Sequence, residues 1–168
     1  MTARALVYRQ AGLEDAASLA RLADVSWKRF ESVLEAQDWI GLHQALNKVN
    51  YHSLAQTAYG AICEDDKDGV IGMAFLVPSG NPTEVFPADW CYVRMVTVHP
   101  DHHGKGIGKT LMRGCIEQAR ATGERTMGLH TSEIMNAARH IYERMGFSIV
   151  KELGHRYGKQ YWLYRLDL

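Results

Sequence analysis

The chain has 168 residues, enough for one domain with a sizeable core, and 46% are hydrophobic against 23% charged, the balance of a soluble globular protein. Nineteen basic residues meet nineteen acidic ones, which excludes a generally basic surface for nucleic acid or an anionic membrane. The opening Met1–Gly12 has no apolar core of signal-peptide length, and the longest apolar run, Val70 to Pro78, is far too short to span a bilayer. Cys63, Cys91 and Cys115 are widely spaced and odd in number, so they fit neither a metal pattern nor a disulfide framework and point to a reducing cytoplasm.

In chain order, Ala5 to Gln10 reads as a short strand and a helix starts near Leu13, with Glu14 and Asp15 in its first turn favouring the dipole. From Val25 to Tyr59 the spacing stays helical, with a break expected around Trp39 to Gly41. Tyr59 to Glu64 is a strand. The run Asp65-Asp66-Lys67-Asp68-Gly69 is a hairpin loop, and Val70 to Val77 is the returning strand, so uniformly apolar that it is expected at the sheet centre. A long loop, Pro78 to Asp89, leads to a strand from Trp90 to His99. Beyond the following loop a helix runs to Ala121 and stops at Thr122-Gly123. Arg125 to Thr131 is a strand, Asn136 opens a helix that Gly146 closes, and Phe147 to Leu153 pairs with Gln160 to Asp167 across a loop from Gly154 to Lys159. There is no repeat and no linker. This mixed order predicts an α/β domain over 1–168, a single mixed, mostly antiparallel sheet flanked by helices.

The most informative stretch joins the Trp90–His99 strand to the next helix. The β-branched Val96-Thr97-Val98 run halts at Pro100, three glycines follow (Gly104, Gly106, Gly108), and then Ile107, Leu111, Cys115, Ile116 and Ala119 take up one helical face. A strand, glycine loop and helix gather unpaired N–H groups at a positive helix end, which makes an anion site suited to phosphate. The nucleotide P-loop pattern G-x-x-x-x-G-K-S/T fails by register, because position 103 is His103. The dinucleotide pattern G-x-G-x-x-G fails at Lys109.

The spacing His103-x-x-Gly106-x-Gly108 resembles the Gln/Arg-x-x-Gly-x-Gly/Ala loop of the GCN5-related N-acetyltransferase (GNAT) family, with His103 departing from the usual first residue. A second segment, Thr131-Ser132-x-x-x-Asn136-Ala137-Ala138-x-x-Ile141-Tyr142-x-x-x-Gly146-Phe147, is similar to that family's strand–Asn–helix–Tyr–Gly–Phe stretch. The opening Tyr8-Arg9-Gln10-Ala11 with Asp15 also looks like its first strand and helix. The likeness is weakest from Val25 to Tyr59, which shapes the acceptor site in the family.

The resemblance implies an acetyl-CoA-dependent N-acetyltransferase. The coenzyme pyrophosphate falls to His103, Gly104, Lys105, Gly106, Ile107, Gly108 and Lys109, with Asn136 and Arg139 as further coenzyme contacts. Backbone groups of Val96, Thr97 and Val98, at a strand bulge, hold the thioester carbonyl and pantetheine, and Tyr142 supplies the proton to the departing thiolate. A base is not evident: the strand has no carboxylate after Asp89, which leaves Asp89, His130, Glu133 or a water relay. His99, His102 and His103 raise a metal site, but adjacent loop histidines without supporting carboxylate spacing do not make one, and no metal is expected. Trp27, Phe30, Trp39, Tyr51, Phe86 and Trp90 are enough aromatics to line an acceptor pocket. The expected acceptor is a small-molecule or peptide amine, in the cytoplasm, without nucleic acid or membrane; a homodimer is left open. The alternative is a catalytically silent acyl-CoA-binding module of the same fold.

Overall fold

The computed structural model describes residues 5–168, so the first four residues of the Met1–Gly12 stretch lie outside it. Its strands are β1 (Leu6–Gln10), β2 (Tyr59–Asp65), β3 (Gly69–Val77), β4 (Cys91–Val98), β5 (Thr126–Ser132), β6 (Ser148–Arg156) and β7 (Lys159–Asp167). Its helices are α1 (Ala16–Trp27), α2 (Ala36–Asn47), α3 (Tyr51–Thr57), α4 (Ile107–Ala121) and α5 (Asn136–Arg144). The strands form one seven-stranded sheet in the order β1-β2-β3-β4-β5-β7-β6. Every neighbouring pair is antiparallel except β4 and β5. No helix among the described residues is long and apolar enough to cross a membrane.

The β3 run is central, as its composition predicts. Met73, Phe75 and Val77 face the cluster that includes α1 and α3, while Ala74 and Leu76 alternate to the cluster around α4 and α5. The two core layers therefore follow from one strand whose side chains are apolar on both faces. At Gly72 a Cβ would lie 2.8 Å from Ile107 Cγ2 and 3.0 Å from Leu111 Cδ1. Only a residue without a side chain lets the first turn of α4 sit this close to the sheet, and that contact fixes where the helix begins.

β4 departs from regularity twice. Met73 pairs with Thr97 and Phe75 with Arg94, so Met95 and Val96 together oppose Ala74. This is a bulge, with Met95 in the left-handed region at φ 56°, and the Thr97 hydroxyl donates to the Met95 carbonyl at 3.1 Å. On its other edge β4 meets β5 only at Cys91–Met127 and Tyr92–Gly128. Beyond these pairs the strands separate.

Two expected boundaries move. The break placed at Trp39–Gly41 falls inside α2; the helical stretch breaks earlier, where Lys28–Ser32 tightens to a 3-10 turn, and again before α3. The β6–β7 loop expected over Gly154–Lys159 is a two-residue turn, Tyr157-Gly158, with φ 52° and 72°, the sign that a twisted hairpin requires at both positions. Tertiary contact explains both. A Cβ at Gly41 would touch the Tyr157 ring at 3.4 Å, and one at Gly158 would lie 2.6 Å from an Asp38 carboxylate oxygen. The hairpin tip and α2 thus close on each other, and Tyr157 joins the small cluster of Phe30, Leu34 and Leu42.

At the other sheet edge, Arg9 of β1 reaches both Asp15 carboxylate oxygens (2.9 and 2.8 Å) and Glu64 of β2 (2.6 Å), while the Gly12 N–H donates to Asp15 at 2.7 Å. The Arg9 hydrogen bonds hold the buried Asp15 carboxyl below the ordinary carboxylate range, against the opposing effect of burial. Its contribution to stability is present above the unfolded-state pKa of about 3.9 and is lost as pH falls through the lower folded-state value. We expect Asp15→Asn to lower unfolding free energy at neutral pH by about 1–3 kcal/mol in urea titrations. The variant should also lose less stability than the wild type on moving to about pH 3. An unchanged midpoint would show the clamp to be dispensable.

Candidate active site

Two cavities open where β4 leaves β5. The first, about 390 Å³, lies between Val96–Val98 of β4, the start of α5 at Asn136, and the Arg29–Phe30 turn. The second, about 480 Å³, lies between β4, β5, α2 and the β6–β7 hairpin. Trp27, Val96, Met135 and Tyr142 wall both, so the cavities meet at these residues. The bulge brings Val96 there, because an extra residue turns the β4 backbone out of its ladder.

Tyr142 comes from the inner face of α5 and rests edge-on against Phe147, ring centroids 6.0 Å apart. It is 6% exposed. Burial pushes its hydroxyl well above the ordinary tyrosine pKa, so it stays protonated and able to donate across the physiological range. The helix starts with Asn136, whose side chain borders the first cavity.

The glycine loop leads into α4 with Gly106 as its N-cap, in the left-handed conformation at φ 76° and with no side-chain cap. Thr110 N–H is the first to bond back, to the Gly106 carbonyl at 3.1 Å. The amides of Ile107, Gly108 and Lys109 therefore have no intrahelical acceptor, and a Cβ on Gly104 or Gly106 would meet nothing within 4 Å. This is an open N–H cradle at a helix N-terminus. Ile107 offers only its amide, because its side chain is buried beneath α4.

Other predicted side chains are spread around this cradle. Lys105 turns back, its ammonium 3.2 Å from His102 Nδ1, while His102 Nε2 lies 3.0 Å from Asp68, tying the loop to the β2–β3 hairpin. Lys109 borders a separate surface hollow with Arg113. His103 Nε2–H donates to the Val98 carbonyl at 2.9 Å, and Arg29 donates to its Nδ1 at 3.3 Å. Arg139 lies over the Trp162 ring, 4.1 Å from its centroid, and donates to the Tyr164 hydroxyl at 3.2 Å; it borders neither cavity.

The histidines suggested by sequence for a metal do not converge. His99 Nδ1 accepts the Asp101 N–H at 3.1 Å, and His103 faces Arg29. His102 instead approaches Asp65 and Asp68, with one ligand atom from each of the three within 4.8 Å. Both His102 ring nitrogens are already engaged there, one by the competing Lys105 cation.

Of the base candidates, His130 lines the second cavity. Its ring is open to solvent on one side, yet the protein packed around it pushes its pKa down to about 4, and the charges of Arg156 and Arg94 act in the same direction, so the ring is neutral at pH 7. Asp89 is exposed before β4, and Glu133 accepts the Gln160 N–H at 3.2 Å; neither borders the cavities. Sequence reasoning missed Arg29, Glu84, Arg94, Met95 and Arg156. A signal existed for one of them: Arg94 is a lone charge inside the apolar run Tyr92–Val98. The others become neighbours of the cavities only through the tertiary fold.

A family model described as "Acetyltransferase (GNAT) family" matches residues 19–147. A 71-residue segment is 34% identical to the L-amino acid N-acyltransferase MnaT of Escherichia coli (strain K12), covering 40% of each chain. A 53-residue segment is 42% identical to the streptothricin acetyltransferase of Streptomyces lavendulae, covering 32% of this chain and 28% of that one. The matches thus span less than half the length of these curated relatives. Among solved structures, the PaiA N-acetyltransferase of Thermoplasma acidophilum, in complex with coenzyme A, superposes with a TM-score of 0.76 at 16% identity, covering 98% of this chain and 99% of that one.

Proposed function

The chain belongs to the acetyltransferase (GNAT) family, and we propose that it transfers an acetyl group from acetyl-CoA to a primary amine of a small molecule or peptide. The observation that carries this reading is the meeting of two cavities at Val96 and Tyr142, one bounded by Val96–Val98 and the start of α5 and one by α2 and the hairpin. The curated relatives are named for small-molecule acceptors, an L-amino acid and streptothricin, which supports an acceptor of that size.

The residues fit the cosubstrate: uncapped amides suit a pyrophosphate, and the free edge of β4 suits the amide-bearing pantetheine arm. When bound, acetyl-CoA supplies a thioester whose acyl carbon accepts the amine and whose sulfur departs as thiolate. The amides of Ile107, Gly108 and Lys109 hold the phosphates. The bulged backbone at Val96 polarises the acyl oxygen as negative charge develops there. The Tyr142 hydroxyl gives its proton to the sulfur. The acceptor ammonium loses one proton before attack, to His130 or water in the second cavity, and a second after it, which passes through water to the Tyr142 oxygen and restores its hydroxyl. The two cavities hold the reactants together, which replaces a bimolecular encounter with a positioned one. A second reading, a catalytically silent acyl-CoA-binding module, draws on the absence of a carboxylate from β4, where Arg94 stands instead.

Coenzyme binding tests the cradle. A Cβ at Gly108 would meet Val98 Cγ2 at an ordinary 3.7 Å. Gly108→Ala should therefore retain acetyl-CoA binding, whereas the branched side chain of Gly108→Val, and any side chain at Gly106, should abolish it in calorimetry. Full affinity in Gly106→Val would remove the loop from the site.

Turnover tests the chemistry. Tyr142→Phe should lower thiol release by about ten- to a thousandfold with little change in acetyl-CoA affinity. In the wild type the rate should rise from pH 6 to pH 9 as the neutral amine fraction grows, since His130, with its pKa near 4, is already unprotonated throughout. If no amine in a broad panel releases thiol while acetyl-CoA binds, the silent-module reading stands.

A further inference from the structure

The acceptor cavity has a charge pattern that an unsubstituted amine does not explain. Its walls are largely apolar and aromatic, with Trp27, Phe86, Tyr92 and Tyr161 among them. Its charged lining residues are Arg94 of β4, Arg156 at the end of β6, and Glu84 of the β3–β4 loop. No ion pair engages any of these three among the described residues. Arg156 faces the Tyr161 ring, 5.9 Å from its centroid, and Arg94 is half-buried. Arg94, His130 and Arg156 line this one cavity, with His130 on β5 between the strands of the two arginines in sheet order, and both positive charges oppose its protonation.

Two unpaired guanidinium groups in a semi-enclosed aromatic cavity repel a cationic amine unless the same molecule brings a negative group. With His130 neutral, two arginines and one glutamate leave the cavity one positive charge in excess. With the amine in its neutral, reactive form, one carboxylate balances it, whereas a phosphate monoester dianion would leave a surplus negative charge. The guanidinium fork matches the planar geometry of a carboxylate. We propose that the acceptor is an amine bearing a carboxylate close to the reacting nitrogen, as in a free amino acid with an apolar side chain, its carboxylate held by Arg94 and Arg156. The inference rests on the acetyl-transfer reading above and narrows its substrate class. A bound carboxylate also offsets the two charges that oppose protonation of His130, so the correct acceptor improves the group that receives its proton. An amine lacking the carboxylate leaves both guanidinium groups unanswered and His130 a poorer acceptor.

The test compares leucine, methionine and phenylalanine each with its own amide, its dipeptide carrying a C-terminal alanine, and the amine without the carboxyl group, by thiol release from acetyl-CoA above the pKa of all the amines. For the best side chain, kcat/KM for the free acid should exceed that for the amide by about a hundredfold or more, as expected when a site built to bond a polar group is denied it. The dipeptide arm separates a free amino acid from a peptide terminus, whose carboxylate lies a residue further away, and it should behave like the amide. Arg94→Met and Arg156→Met should each collapse the acid-to-amide ratio toward one, and Arg94→Lys should restore part of it. An acid-to-amide ratio of one or below in the wild type overturns the proposal without any variant having to fold. So does a ratio that both methionine variants leave intact. Thiol release with amines or dipeptides but not with free acids sinks the carboxylate and leaves acetyl transfer standing. No release from any acceptor sinks both.

Discussion

The parting of β4 from β5 is the constraint from which the site follows. In a sheet where other neighbours pair along most of their length, these two share only two register pairs, Cys91–Met127 and Tyr92–Gly128. They are held together at that end because Gly128 has no side chain: a Cβ there would strike Phe86 at 2.8 Å and Trp90 at 2.9 Å. Past this clasp the Met95 bulge turns β4 away, and Gly72 lets α4 press on β3 beside it. Backbone groups within a fold are costly when unpaired, so a strand edge left open beside a cavity is a surface made for a ligand. The protein partly covers it already, with His103 donating to the Val98 carbonyl.

The electrostatics of the two cavities follow from the same opening. Tyr142 is buried and His130 is partly enclosed by protein, and each environment favours the neutral form, raising the tyrosine pKa and lowering that of the histidine. One becomes a dependable donor and the other an uncharged acceptor, at neighbouring points of one continuous space. Charge enters as arginine: Arg29 in the first cavity and Arg94 and Arg156 in the second. Arginine keeps its charge under partial burial far better than lysine does, which suits it to such walls.

Much of this was legible in the sequence, and unevenly so. The glycine loop announced the helix start because Gly104 and Gly106 need positive φ, a requirement local to the chain. The unbroken apolar run of β3 announced a central strand for an equally local reason. Signals failed where tertiary contact decided. Gly41 looks like a helix breaker, yet it is held within α2, where the Tyr157 ring packs on it. The β6–β7 turn tightened to Tyr157-Gly158 because its tip meets Asp38. Met95 carries no mark of its left-handed backbone, since nothing in a methionine encodes a bulge. Arg156 and Arg29 gain meaning only when strands and turns far apart in the chain converge; Arg94, a charge in an apolar strand, could have been questioned from the start.

The two-rung junction has a bearing on how long the molecule lasts. The β5-β7-β6 half of the sheet joins the β1-β2-β3-β4 half through those rungs, helped by the helices above them. A ligand lying along the free edge of β4 would act as a splint between the halves, and it would be absent from the unfolded chain. Each tenfold excess over its dissociation constant adds about 1.4 kcal/mol to the folded state. Resistance to proteolysis would then track ligand supply, and the amount of this protein in a cell would register the abundance of the metabolite that fills its cleft.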